Sequence, residues 1–222
     1  EHYDAMLMKS YVDSIRHFTP IPTGFKRVGD LDRLDPVFLS VAGVRYLIAG
    51  DEQEVMKKLD LSEVDLAGYP QVHAGRGYRI FENTQVLPRA FAFSMEAVEP
   101  AGLTGAELLR IPKTTADIVD YRPDRVVVEV DSPSDGYVFL SDSFFPGWHA
   151  TVNGKKTAII RNKQTNFRIV PVAKGHNQVV FSYRPWSFVA GAICSLGALG
   201  LIMLCILSLD IAVASGNNGR TA

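Results

Sequence analysis

SFVAGAICSLGALGLIMLCILSL, residues 187–209, decides the class of this chain. The stretch contains no charge, no Pro and no Asn or Gln. At 1.5 Å rise per residue it can cross the roughly 30 Å hydrocarbon layer of a bilayer. Arg184 and Trp186 stand at its entry and Asp210 at its exit, in keeping with an interfacial belt and a charged stop. Ser187, Gly191, Ser195 and Ala198 recur at helical spacing and form one stripe of small residues. Small residues let a second helix approach closely in lipid, where no hydrophobic force drives helices together. The stripe therefore predicts packing against further membrane helices.

Upstream of this span the pattern changes from a helical block to short alternating runs. Strands are predicted over 125–131, 136–142, 147–152, 156–161, 166–172 and 177–184. Turn signals separate them: Pro133-Ser134-Asp135-Gly136, Pro146-Gly147, Asn153-Gly154 and Lys174-Gly175. Asn-Gly between alternating runs is a strong hairpin signal, because both residues tolerate positive φ. Reading every second residue assigns Trp148/Ala150/Val152, Phe167/Ile169 and Val179/Phe181/Tyr183 to inward faces. Short strands about ten residues apart indicate an antiparallel β-sandwich, of Ig-like or jelly-roll-like kind.

Further upstream the pattern is mixed α and β. Asp35-Pro36 followed by an apolar run and Gly43 reads as a short helix with its cap and left-handed stop. Val44, Tyr46 and Ile48 alternate as a strand, 52–59 as a second short helix, and 78–81 as a strand. In 90–95, Phe91, Phe93 and Met95 share a face, and 83–89 is the loop before it. Thr104 and Glu107 have capping-box spacing. The expected layout is an N-terminal helix and linker (1–24), a mixed α/β region (25–114), the sandwich (115–184), the membrane helix (187–209) and a tail (210–222). The fold class is mainly β.

Composition narrows the function. A formal net charge of -1 over 222 residues gives no field to attract nucleic acid, and basic residues are not interleaved with aromatics as on a single-strand platform. Cys194 and Cys205 both fall in the span, which leaves the soluble part without thiol chemistry. The five histidines (His2, His17, His73, His149, His176) show no metal-ligand spacing. Asp30-Leu31-Asp32 lacks the βαβ context of a metal-binding acidic pair and reads as solvated loop carboxylates. No cofactor, metal or catalytic constellation is expected. A chain opening EHYDAMLMKS, with no initiator Met, basic n-region or apolar h-region, is expected to be a fragment of a longer one. One cluster stays open: Phe144, Phe145 and Trp148 flank Pro146-Gly147, with Asp142 nearby. Such residues suit stacking on a sugar ring and bonding its hydroxyls; equally, Trp148 suits a core anchor and the two Phe suit filling a bend.

These residues carry a resemblance. Leu140-Ser-Asp142-Ser-Phe144-Phe145-Pro146-Gly147-Trp148-His-Ala150-Thr-Val152-Asn153-Gly154, then Gly175-His176 and Tyr183-Arg-Pro185, resemble the C-terminal run of YfhO-like bacterial membrane proteins. Val44-Arg45-Tyr46-Leu47-Ile48 and Glu82-Asn83 through Leu87-Pro88-Arg89-Ala90 resemble their upstream motifs, so the resemblance covers about residues 34–209. The sequence departs from that pattern at Phe144 and Phe145, where tyrosines are usual, and at Asn153, where Asp is common. The substitutions to Phe remove two hydroxyls that a polar sugar contact would use. The resemblance implies a large multi-spanning protein with a glycosyltransferase-C-type core in the bacterial inner membrane. It implies sugar transfer from a polyprenyl-phosphate donor to a cell-envelope glycan, with the catalytic acid in a region outside this sequence. The chain would then be a non-catalytic accessory domain on the extracytoplasmic side, in contact with lipid and upstream helices of the same protein. The alternative is a membrane-anchored carbohydrate-binding or structural envelope module with no enzyme attached. Asp210 and Arg220 are too few charges to fix orientation by themselves.

Overall fold

Asn153 and Gly154 both take positive φ, 51° and 77°, and turn β9 (Trp148–Val152) directly back onto β10 (Lys155–Thr157), with Val152 opposite Lys155. The computed structural model describes residues 35–50, 68–94 and 99–217. It divides into two units that part between Ser182 and Tyr183. The N-terminal helix and linker, the helix over 52–59, Met95 and the Asp30/Asp32 pair lie outside the described residues.

Two five-stranded antiparallel sheets form the sandwich. The first runs β10-β9-β13-β7-β6, with β13 Gly175–Tyr183, β7 Arg125–Ser132 and β6 Asp117–Arg122. The second runs β11-β12-β8-β4-β5, with β11 Ile160–Arg161, β12 Phe167–Val172, β8 Gly136–Ser143, β4 Ala90–Ser94 and β5 Thr114–Thr115. Between the sheets, Val126, Val128, Val130, Ala150, Val179 and Phe181 of the first meet Ala90, Ala92, Val138, Leu140, Val170 and Val172 of the second. Trp148 and Val152 pack on the edge of this core. Each fully buried aliphatic or Phe side chain stabilises the fold by about 1.5–3 kcal/mol relative to exposure.

The second sheet is buried on both faces. Its outer face carries Phe91, Phe93, Phe139, Phe167 and Ile169, packed with Val41, Leu103 and Leu108. Val41 lies on α1 (Pro36–Val41) and Leu108 on α2 (Gly105–Arg110). Phe91 and Phe139 stack at 4.9 Å between ring centroids, and Phe139 meets Phe167 edge-on at 5.8 Å. Phe167 and Ile169 thus belong to this outer aromatic layer and not to the inter-sheet core. Period two correctly puts them on one face, but a strand covered on both sides offers two apolar faces to choose from.

Both helices are set by their caps. Asp35 accepts the Val37 and Phe38 N–H groups, Pro36 opens α1, and Gly43 follows at φ 74°. Thr104 and Glu107 cap each other reciprocally at α2. Three sequence expectations need correction. The run 156–161 is two strands: β10 and β11 lie in different sheets, because the chain crosses between sheets at Ala158-Ile159. β6 went unread because a bulge between Ile118 and Asp120 breaks its alternation. β2 (Gln71–Gly75) also went unread; it joins β1 (Tyr46–Gly50) and β3 (Tyr78–Glu82) in a three-stranded antiparallel sheet ordered β1-β3-β2.

The second unit is α3, Trp186–Asn217. Its stretch Trp186–Leu207, 22 residues with mean hydropathy 2.4, is long and apolar enough to cross a membrane. Phe188, Ile193, Leu196, Leu201 and Leu207 are all exposed; an apolar surface on every side suits lipid and not water. The helix continues past Asp210, which marks the end of the apolar stretch and not of the helix.

Candidate functional site

β8 places Val138 and Leu140 in the inter-sheet core, and the same alternation carries Asp142 inward at the strand's end. On the neighbouring β12, Val170 and Val172 point into the same space, and so does Arg168. A bulge between Phe167 and Arg168 shifts the register there, with Phe167 opposite Ser143 and Arg168 opposite Leu140. Arg168 is the largest fully buried side chain among the described residues, only 2% exposed.

Burial of a guanidinium is costly unless its charge is met. Here Arg168 Nη2 donates to Asp142 Oδ2 at 2.9 Å, and Nε donates to the Asp142 carbonyl at 3.3 Å. The guanidinium lies 3.9 Å from the centroid of Trp148 on β9 and 5.1 Å from that of Phe181 on β13. Nη1 has no hydrogen-bond acceptor, and the Trp148 π-face supplies attraction to the cation instead. Desolvation pulls the Arg168 pKa down to about 10, opposed by the Asp142 charge. Arg168 remains the cation at neutral pH. It rises from one sheet and seats between aromatics of the other, which makes it a clamp across the sandwich.

The other oxygen of Asp142 faces outward. Arg89, on the loop before β4, donates from Nη2 to Asp142 Oδ1 at 2.6 Å and from Nε at 3.1 Å. Its guanidinium stacks 4.5 Å from the Tyr121 ring centroid and bonds the Tyr121 hydroxyl. Burial opposes the charge of Arg89, but the hydrogen bond and charge of Asp142, with those of Tyr121, leave its pKa above the usual value. Asp142 is therefore gripped from two sides and its side chain is only 10% exposed.

The corner that follows is pinned at several points. Phe144 N–H donates to the Asn166 carbonyl at 2.8 Å, and Asn166 Nδ2 donates back to the Phe144 carbonyl at 3.3 Å. Asn166 holds φ 61° and Gly147 φ 107°, and Trp148 N–H donates to the Phe145 carbonyl. Phe144 and Phe145 are half-buried and Pro146 is exposed.

Of the four candidate sugar-contact residues, Asp142 and Trp148 come together, with Arg168 bridging them, while Phe144 and Phe145 form the turn between their strands. Arg168 and Tyr121 were not singled out in the sequence, and Arg89 only as part of the Leu87-Pro88-Arg89-Ala90 motif, without a role. The available signal was the alternation Arg168/Val170/Val172, which requires an inward arginine once Val170 and Val172 are taken as core. Ser187, Gly191, Ser195 and Ala198 all lie on α3. The first three are exposed, as is Ala198, and a Cβ added at Gly191 would meet nothing within 4 Å. Among the described residues, no group of three or more His, Cys, Asp or Glu is placed to hold a metal ion.

In comparison with known proteins, residues 106–195 fit the family model described as "Bacterial membrane protein YfhO". The matched segment runs from α2 through the sandwich strands β5 to β13 into the first turns of α3, with β4 outside it. This segment is YfhO-like, and together with the apolar stretch of α3 it supports a membrane location. No curated protein matches, and no solved structure matches.

Proposed function

We propose that this chain is the extracytoplasmic accessory domain and last membrane helix of a larger, multi-spanning glycosyltransferase-C-type protein of the bacterial inner membrane. That protein would move a sugar from a polyprenyl-phosphate donor to a cell-envelope glycan. The observation that carries the proposal is the YfhO-like segment itself, which includes the sandwich strands β5 to β13 and the start of the apolar helix. The domain contributes no catalytic residue. Phe144 and Phe145 offer ring faces to a sugar at the β8–β9 corner, and the Asp142–Arg168–Trp148 clamp beneath them fixes the corner's shape. Preorganised aromatic surfaces lose little entropy on binding. On α3, the stripe Ser187, Gly191, Ser195 and Ala198 takes the upstream helices of the same protein.

The test is titration of the full chain in lipid nanodiscs with envelope sugars and polyprenyl-phosphate headgroups, followed by NMR. Shifts centred on Phe144, Phe145 and Trp148, lost in Phe144→Ala with the melting transition unchanged, support the proposal. An absence of shifts at millimolar ligand refutes the contact.

A second reading, a carbohydrate-binding or purely structural envelope module without enzymatic activity, draws on the commitment of Asp142 to two arginines and of one Trp148 face to Arg168. Groups used so fully inside the domain serve its stability first. In that case Trp148→Ala unfolds the sandwich and Phe144→Ala changes nothing measurable. The coding sequence upstream of Glu1 separates the two: many hydrophobic spans accord with the transferase, a signal peptide with the module.

A further inference from the structure

The three-stranded sheet presents an apolar, tyrosine-bounded face that neither the sandwich nor the proposed sugar contact uses. Tyr46 stands opposite Glu82, Ile48 opposite Ile80, and Gly50 opposite Tyr78, so these residues share one face. On the other side of β3, His73 pairs with Ile80 and Gly75 with Tyr78. The opposite face holds Phe81, which is buried. On the outward face Ile48 is 72% exposed, and Tyr46 and Tyr78 are exposed as well. Tyr78 lies flat across Gly75, where an added Cβ would come within 2.3 Å of its ring, and stacks on His73 with centroids 5.7 Å apart. Arg79, opposite Ala49, belongs to the same face as Phe81, whereas Glu82, opposite Tyr46, belongs to the outward one. Arg45 bonds Glu82 at 3.0 Å and lies over the Tyr46 ring, while Arg76 sits exposed in the β2–β3 turn.

We propose that this face, Tyr46, Ile48, Ile80 and Tyr78 with Arg76 at its rim, lies against the headgroup layer of an anionic bilayer. Three observations select a bilayer over another occupant. Tyrosine is the residue type that settles at the membrane interface, its ring in the apolar boundary and its hydroxyl in the polar layer, and here two bracket an isoleucine pair. Arg76, exposed at the rim, complements anionic lipid, such a charge strengthening surface attachment. The chain also carries its own apolar helix of spanning length, so a tethered bilayer surface is present at high effective concentration. The proposal needs only that span and is independent of the sugar contact.

The test uses the full chain with Cys194→Ala and Cys205→Ala, spin-labelled through Ile48→Cys and, separately, through Tyr46→Cys. It is placed in phosphatidylcholine nanodiscs with and without phosphatidylglycerol. Lys155→Cys on the exposed β9–β10 hairpin is the aqueous reference. Collision with oxygen, which partitions into lipid, is compared with collision with a water-soluble nickel chelate. The expected result is an oxygen preference at position 48 in the anionic discs, absent at position 155. Arg76→Gln should lower the bound-to-free ratio about fivefold, the ~1 kcal/mol of one arginine at an anionic surface converted at about 1.4 kcal/mol per tenfold. Nickel access at position 48 equal to that at position 155 overturns the proposal. So does poor access of both reagents, which marks a protein partner, and so does a ratio indifferent to anionic lipid. The label at position 46 decides the matter if the one at position 48 disturbs folding.

Discussion

Replacing Asp142 by Asn removes the counter-charge of Arg168 while keeping nearly the same shape. Arg168 is 2% exposed and, among the described residues, its one ion pair is with Asp142 at 2.9 Å, so the change leaves a charge in the sandwich core without that counter-charge. Breaking a buried pair from one side costs about 3–5 kcal/mol. The Trp148 and Phe181 rings remain, but cation–π attraction returns only about 2 kcal/mol at a desolvated site and is already present in the wild type. At about 2–4 °C per kcal/mol for a domain of this size, Asp142→Asn should lower the melting temperature by roughly 6–20 °C. Arg89→Ala removes an ion pair whose arginine is 52% exposed, and surface pairs contribute at most about 1 kcal/mol. Thermal unfolding of the full chain in detergent, followed by near-UV dichroism, measures both. The double variant Asp142→Asn/Arg168→Met removes both charges together and should regain much of the loss, since an apolar replacement of a buried pair is often close to neutral. An Asp142→Asn loss no larger than that of Arg89→Ala, or a double variant as unstable as the summed singles, would refute the clamp.

Three further outcomes follow from the local geometry. Thr104→Ala deletes the α2 cap and should cost about 1 kcal/mol in the same unfolding assay. The Glu107 carboxylate is held below its usual pKa of 4.5 by the Thr104 backbone N–H first and the Thr104 hydroxyl second. Its stabilising contribution is therefore complete above the unfolded-state value and fades as pH falls through the lower folded one; Glu107→Gln should flatten that part of the stability–pH curve, and an unchanged curve would contradict the cap. Gly136→Ala places a Cβ 2.2 Å from the Phe93 carbonyl oxygen, so β4 and β8 must separate; its loss should exceed that of Gly154→Ala, where a Cβ meets only solvent at φ 77°.

The parts legible in the sequence are those fixed by local chemistry. The apolar run in α3, the Asn153-Gly154 hairpin, the Asp35 and Thr104 caps, and the shared face of Phe91 and Phe93 each depend on residues within a turn or a strand of one another. What escaped depends on pairings across the chain. Phe167 and Ile169 pack under the helices because β4, β8 and β12 are covered twice, a property no single strand declares. Arg168 looked like the solvated side of β12; its partner Asp142 is 26 residues away and its aromatic seats come from the other sheet. The Asp142–Trp148 cluster was noticed for its carboxylate and ring, yet the cation that joins them was not. Tyr121 and Arg89 were hidden similarly, the first behind the β6 bulge and the second in the loop before β4.

Sidedness tests the accessory-domain proposal most directly, because sugar transfer from an extracytoplasmic polyprenyl-phosphate donor requires the sandwich on that side of the membrane. With Cys194 and Cys205 replaced by Ala, the single thiol of Lys155→Cys on the exposed hairpin can be challenged in intact bacterial cells with a membrane-impermeant maleimide. Labelling of intact cells, blocked by prior treatment with an impermeant thiol reagent, is the expected result. Labelling only after the inner membrane is permeabilised would place the sandwich in the cytoplasm and contradict the proposed function.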